Sequence, residues 1–172
     1  LERVVRSAGE SYPSMHPNGE LYFESFDAYK TNLYYYYDLF RLDPRGPWDR
    51  KRLTHGLRAR YPDISPDGHR ISYVRNDTST QSLWIADLDD IEGTQELLVD
   101  SERFEQVYTP RFSPDGSQVA YSAWRKGGYR DIHVIDLATR QVTAVTHDRA
   151  MDTGPAWSPD GEKLYFSSDR TG

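Results

Sequence analysis

The sequence predicts an all-β chain, a β-propeller of four-stranded antiparallel blades, on three observations. A five-residue pattern centred on Pro-Asp-Gly recurs at intervals in the forties. Each interval holds four short runs rich in β-branched and aromatic residues. No stretch carries apolar residues at the i, i+3, i+4, i+7 spacing of an amphipathic helix. A sequence period of this length marks a solenoid, a propeller or an array, and four strands per period is the propeller blade.

The turns come first in each unit. They read Met15-His16-Pro17-Asn18-Gly19, Ile64-Ser65-Pro66-Asp67-Gly68, Phe112-Ser113-Pro114-Asp115-Gly116 and Trp157-Ser158-Pro159-Asp160-Gly161, with their glycines 49, 48 and 45 residues apart. Proline presets φ at the first central position of a type I turn, Asp or Asn tolerates the second, and Gly takes the left-handed position after it. Strand b follows: Leu21-Tyr22-Phe23, Ile71-Ser72-Tyr73-Val74, Val119-Ala120-Tyr121-Ser122 and Leu164-Tyr165-Phe166-Ser167. After a polar loop, strand c reads Leu39-Phe40-Arg41-Leu42-Asp43, Leu83-Trp84-Ile85-Ala86-Asp87 and Ile132-His133-Val134-Ile135-Asp136. Strand d closes each unit at Lys51-Arg52-Leu53-Thr54, Glu96-Leu97-Leu98-Val99 and Val142-Thr143-Ala144-Val145-Thr146.

Composition narrows the functional classes. The chain has 172 residues, 27 acidic and 21 basic, for a net charge of −6. That balance argues against a nucleic-acid partner, which needs a basic surface to displace counterions. No run approaches the length of a membrane-inserted helix. With no cysteine, disulfides, a thiol nucleophile and thiolate metal sites are excluded. Thirteen Tyr, six Phe and four Trp are too many for a disordered acidic chain. The chain opens on Leu1 in a charged stretch, which reads as a processed or excised piece of a longer protein.

The run Phe-Ser-Pro-Asp-Gly, Val-Ala-Tyr-Ser, Asp-Ile-His-Val-Ile-Asp-Leu, Val-Thr-Ala-Val-Thr at 112–146 resembles the repeat of TolB-type β-propellers. So does the closing Trp-Ser-Pro-Asp-Gly with Leu-Tyr-Phe-Ser-Ser-Asp-Arg-Thr-Gly. The resemblance runs from Tyr61 to Gly172 and more loosely through the first unit. It implies an extracytoplasmic, periplasmic setting and a protein or peptide partner received at one end of the central channel. Similar blades occur in the Tol–Pal envelope system and in propellers attached to serine peptidases, so the fold does not by itself supply the function.

The register divides the chain into strand d of a preceding blade (1–10, with Val4-Val5-Arg6 as the strand), blade one (11–57), blade two (58–104), blade three (105–151) and strands a and b of a fourth (152–172). Three complete blades do not curl into a ring, which typically takes at least four, and Leu164-Tyr165-Phe166 would present an open apolar edge. The expectation is a fragment of a six- to eight-bladed propeller, with a homodimer closing a larger ring as the alternative.

Motifs for chemistry are absent. There is no Gly-x-Ser-x-Gly, no His-Glu-x-x-His and no phosphate-cradling glycine loop. Asp87-Leu88-Asp89-Asp90 opens like a calcium loop, but Ile91 and Leu98 stand where oxygen ligands are needed, so it reads as a solvated turn. No cofactor and no metal is expected, and the chain itself is read as non-catalytic. Asp67, Asp115 and Asp160 are turn formers, and Asp43, Asp87 and Asp136 serve the turn after strand c. His16 and His69 lie at the a–b turn, and His133 is a packed strand residue. His55 and His147 follow Leu53-Thr54 and Val145-Thr146 at equivalent positions. A cap on the d–a loop and a place in the site are both open readings for them. Asn76-Asp77-Thr78 matches a glycosylation acceptor, which matters only in a secreted eukaryotic protein.

The d–a and b–c loops of a propeller open onto one face around the channel mouth. The candidate partner-binding residues there are Tyr12, Tyr29, Tyr35, His55, Arg60, Tyr61, Tyr108, Trp124, Tyr129, His147, Arg149 and Asp152. Tyr, Trp and Arg are the residue types that dominate binding hot spots. Blade one has four or five extra residues between strands b and c, in a stretch holding Tyr34-Tyr35-Tyr36-Tyr37. Successive tyrosines alternate faces in an extended chain, so half cannot enter one core. An extended strand c packed on a neighbouring blade and a binding rim both fit that pattern.

The leading functional reading is a non-catalytic propeller that binds a protein or peptide. The competing one is a substrate-gating propeller of a larger peptidase. The open edge is an aggregation hazard for the isolated 172 residues and argues for truncation. A folded monomer by light scattering, with a cooperative melt, would contradict that.

Overall fold

The computed structural model describes residues 12–29, 34–46, 50–78, 80–125 and 127–170, the side chain of Tyr29 excepted. The Val4-Val5-Arg6 run lies outside them. Among the described residues there are fourteen strands and no helix. They form four sheets, each an antiparallel meander in which every strand pairs with its sequence neighbour. The first sheet holds β1 (Ser14–Met15), β2 (Leu21–Tyr29), β3 (Tyr34–Leu42) and β4 (Arg50–Arg52). The second holds β5 (Ala59–Ile64), β6 (Arg70–Asp77), β7 (Thr80–Asp87) and β8 (Glu96–Val99). The third holds β9 (Gln106–Phe112), β10 (Gln118–Trp124), β11 (Arg130–Asp136) and β12 (Val142–Ala144), and the fourth pairs β13 (Thr153–Trp157) with β14 (Leu164–Ser167). These are propeller blades, with β1, β5, β9 and β13 as the inner strands a.

The Ser-Pro-Asp-Gly turns fold as their residues dictate. In the second sheet the Gly68 amide donates to the Ser65 carbonyl at 2.9 Å, and Asp67 accepts from the Ser65 hydroxyl and the His69 amide. The Ser65 hydroxyl in turn accepts the Arg70 amide, which closes the first rung of the hairpin. Ser113-Asp115 and Ser158-Asp160 repeat every contact. The hydroxyl and amide donors hold all three carboxyls below the usual range, Asp115 at about 2. Gly68 is required twice over. Its φ is 77°, and a Cβ there would lie 2.5 Å from Nε2 of His16 in the preceding turn. Gly116 and Gly161 face Pro66 and Pro114 of the turns before them more loosely, where an added Cβ would sit in ordinary contact at 3.6 and 3.7 Å. The four turns therefore stack blade on blade.

The apolar strand residues meet between sheets. Tyr22, Leu39, Ile64, Ile71, Tyr73 and Ile91 fill the space between the first and second, and Val74, Leu83, Val99, Val107, Val119, Tyr121 and Ile135 that between the second and third. Truncating one of these to Ala removes about 2–5 kcal/mol.

The first blade follows the extended-strand reading of its tyrosine run, and the end of strand d departs from expectation. The extra residues of the first blade lengthen the b–c hairpin itself: β2 and β3 each run nine residues and pair from Leu21↔Leu42 to Tyr29↔Tyr34. Tyr36 and Tyr37 pack under Arg58 and Arg60 of the next blade, with guanidinium-to-ring distances of 4.6 and 4.2 Å. Asp27 binds Arg50 at 2.6 Å and the Ala28 carbonyl accepts from Arg52 at 2.7 Å, which ties the hairpin to strand d of its own blade. The departure concerns the end of strand d. Its cap is the threonine, not the histidine after it. Thr54 Oγ1 accepts the Leu39 amide and donates to Asp38, and Thr146 does the same for Ile132 and Asp131. His55 and His147 point into solvent beside these caps.

Asp38 is wholly buried and takes four donors: Arg52 at 2.6 Å, the Gly56 amide at 2.7 Å, the Thr54 hydroxyl at 2.9 Å and the Leu57 amide at 3.0 Å. Removing it strands a half-buried guanidinium and two amides. Asp38→Ala is expected to cost about 3–5 kcal/mol in chemical denaturation of the full-length protein. Thr54→Val should cost about 1–3 kcal/mol.

Candidate functional site

The inner strands share a distortion. At the residue before proline, φ turns positive: 54° at Tyr61, 45° at Thr109 and 62° at Gly154. The pairing register with strand b slips at the same place in all three sheets. Proline has no amide for the ladder, and the bulge puts the lost rung there. A left-handed tyrosine is an uncommon, strained conformation that its surroundings must hold.

What holds it is charge and packing across the blade boundary. Glu24 on β2 is fully buried, with backbone amides of Tyr12, Tyr61 and Glu24 itself directed at its carboxyl and Arg60 at 4.0 Å. Tyr61 is buried between Tyr12, whose ring lies 4.8 Å away edge-on, and Tyr108 at 6.2 Å. Arg60 lies over the rings of both Tyr61 and Tyr37. One step along, Asp63 joins three inner strands: it accepts the Ser14 hydroxyl at 3.2 Å and the Phe112 amide at 2.8 Å, and faces Arg111 at 3.5 Å. Burial pushes Glu24 up to about 7 and Asp63 up to about 6, because these contacts only partly replace the lost water.

The candidate residues fall into three groups. Tyr12, Arg60, Tyr61 and Tyr108 form one continuous cluster on the inner strands, with Tyr61 buried and the other three half-buried. Tyr35, Trp124 and Tyr129 stand exposed at the b–c loops, Tyr35 with its ring 5.7 Å from Phe26, and Tyr29 ends β2 with its side chain outside the described residues. Among the described residues the exposed aromatic side chains Phe26, Tyr34, Tyr35, Phe104, Trp124 and Tyr129 all belong to this end of the sheets, and Tyr165 on β14 is the one that does not. His55, His147, Arg149 and Asp152 lie on d–a loops. The His55 amide donates to Glu92 at 2.7 Å, and Arg149 shares a groove of about 460 Å³ with Asp148, Asp169 and Arg170. Asp152 is buried and binds Arg170 at 2.7 Å; despite burial, the Ser168 and Thr146 hydroxyls and Arg170 hold its carboxyl below the usual range.

Sequence reasoning passed over Arg130. It opens β11, its guanidinium carbon sits 3.6 Å from the centre of the Tyr108 ring, and its Nε donates to Ser122 at 3.1 Å. The Gly127-Gly128 pair before it was the available signal, since such a pair lets a loop turn back across the inner strand.

Residues 31–172 match the TolB beta propeller domain. The chain belongs to that family. The Tol-Pal system protein TolB of Alcanivorax borkumensis is 35% identical over 102 residues, which cover 59% of this chain and 23% of that protein. The chain thus spans about a quarter of the length of this relative. A TolB-type protein of Agrobacterium tumefaciens superposes with a TM-score of 0.72 at 22% identity, over 96% of this chain and 60% of that one. A puromycin-hydrolyzing peptidase of Mycobacterium tuberculosis superposes at 0.67 with 16% identity, over 91% of this chain and 27% of the peptidase. At these identities the structural likenesses speak for the fold alone. Among the described residues no helix is long and apolar enough to cross a membrane.

Glu24 and Asp63 titrate higher in the folded state than in the unfolded chain, so folding takes up protons between the two values. Stability must then rise as pH falls from about 7 towards 4.5 on their account, and the gain is lost again as pH rises through 6 and 7. Thermal melts of the full-length protein across this range should flatten in Glu24→Gln and Asp63→Asn variants. Variants whose pH dependence matches the parent would show that other groups carry it.

Proposed function

We propose that this propeller is a non-catalytic binding module of the cell envelope, outside the cytoplasm, which receives a segment of a protein partner at the end where the d–a and b–c loops open. The observation that carries the reading is the cluster of Tyr12, Tyr61, Tyr108, Arg60 and Arg130 on the inner strands. Aromatic rings held by neighbouring cations present large area at little cost in side-chain entropy. The exposed aromatics at the same end supply a rim. The kinship with a Tol-Pal system protein supports an assembly of the Tol–Pal kind as the setting.

The peptidase reading rests on a likeness of fold at low identity. A Gly-x-Ser-x-Gly or His-Glu-x-x-His motif in the coding sequence around this chain would favour it.

The test is calorimetric titration of the full-length protein with the Tol–Pal components of its own organism, one at a time. Tyr12→Ala and Tyr108→Ala should weaken binding about thirtyfold, the scale of a hot-spot truncation. Glu162→Ala, on the turns at the opposite end, should leave it unchanged. Unchanged affinity in both tyrosine variants, with melting temperatures close to the parent, would overturn the reading.

A further inference from the structure

Nine arginines among the described residues have a carboxylate within ion-pair distance: Arg41, Arg45, Arg50, Arg52, Arg60, Arg111, Arg125, Arg140 and Arg170. Arg130 has none. It is half-buried, stacked on Tyr108, and it faces Tyr61 and Tyr12 as well. Among the described residues its one hydrogen bond uses Nε, on Ser122, and leaves both terminal nitrogens without an acceptor. Three other half-buried arginines among the described residues lack an ion pair: Arg58 and Arg70 each spend a terminal nitrogen on a protein acceptor, the Tyr36 hydroxyl and the Gly116 carbonyl, and Arg75 lies over Trp84 on strands b and c of the second sheet, away from the tyrosines of the inner strands.

A cation drawn out of water with no countercharge is unfavourable unless something compensates it. The stacked ring fixes the plane of the Arg130 guanidinium and the Ser122 contact fixes its rotation. Two parallel N–H donors remain on its free edge, the fork that matches the two oxygens of a carboxylate. Lysine could not hold that geometry, because an ammonium neither stacks flat nor presents a fork.

We infer that Arg130 is the anion-binding determinant of this site, and that the partner segment presents a carboxylate to it with Tyr108 as the platform beneath. The inference rests on the binding reading above and specifies its chemistry. The carboxylate is either an Asp or Glu side chain or the free C-terminus of the partner.

The test uses the full-length protein as bait for random peptides of about twelve residues, displayed in two formats, one with a free C-terminus and one internal to a loop. Selected peptides should be enriched in Asp and Glu in the internal format, or in the free-terminus format alone if the terminus is what binds. Each is then remade with the acid converted to its amide. The acid should bind at least about tenfold more tightly than the amide, and Arg130→Gln should abolish that difference. Arg130→Lys, which keeps the charge, guards against a folding defect and should recover only part of the preference. Peptides that need Tyr12 and Tyr108 yet bind equally as acid and amide, or bind Arg130→Gln unchanged, would overturn this inference and leave the binding reading standing. Peptides indifferent to Tyr12→Ala and Tyr108→Ala, or no binders at all, would overturn both.

Discussion

The contact on which the architecture turns is the one Asp63 makes with its neighbours. A four-stranded blade is apolar on both faces and cannot bury either alone, so each sheet is stable only against the next. The apolar layers supply most of that energy but little of the register. Asp63 sets the register: it takes a hydroxyl from the inner strand before and an amide from the inner strand after, and Ser14 returns the favour by accepting the Ile64 amide at 3.0 Å. Between the third and fourth sheets the side chain of Trp157 donates to the Arg111 carbonyl at 3.1 Å. Three different contacts thus occupy one seam, at the two positions that follow the inner-strand proline.

This seam also positions the site. Because the bulge before proline turns Tyr61 and Thr109 left-handed, the side chains around it crowd towards one another across the blade boundary instead of alternating along a flat strand. The rings of Tyr12, Tyr61 and Tyr108 come together for that reason, and Arg60 and Arg130 fill the space beside them. A buried glutamate holds the backbone of the strained tyrosine. The proposed binding cluster lies beside the contacts that keep adjacent blades in place, and its Arg60 and Tyr61 rest on the buried Glu24 of the neighbouring blade, so it is built on the core.

The repeat made the fold legible. Proline, aspartate and glycine at fixed offsets have one economical backbone solution, and four copies in step leave no other reading. The strands between them followed from β-branched and aromatic runs. The long first hairpin was harder, since Tyr34 to Tyr37 alternate equally well in a loop rim and in a strand, and only the neighbouring Arg58 and Arg60 decide for the strand. The threonine caps were hidden because Thr54 and Asp38 lie on different strands and nothing local ties them. The tyrosines at the channel end were legible from their place before proline, whereas Arg130 was not. Its importance lies in what surrounds it and in the countercharge it lacks, and neither is a property of sequence order.

The stacking of the turns bears on how such a chain can grow. From the second turn on, each turn glycine faces a residue of the turn one blade back, His16 at Gly68, Pro66 at Gly116 and Pro114 at Gly161. The contact joins one repeat to the next rather than residues within a repeat. A tandem duplication of a whole unit, wherever its breakpoints fall, makes one new junction at which turn again meets turn, and so keeps a contact of this kind. A duplication of a fraction of a unit breaks it. Gene-level slippage in whole units is thereby a change that this side of the molecule absorbs, and the tolerance comes from the same Pro-Asp-Gly that makes the turn.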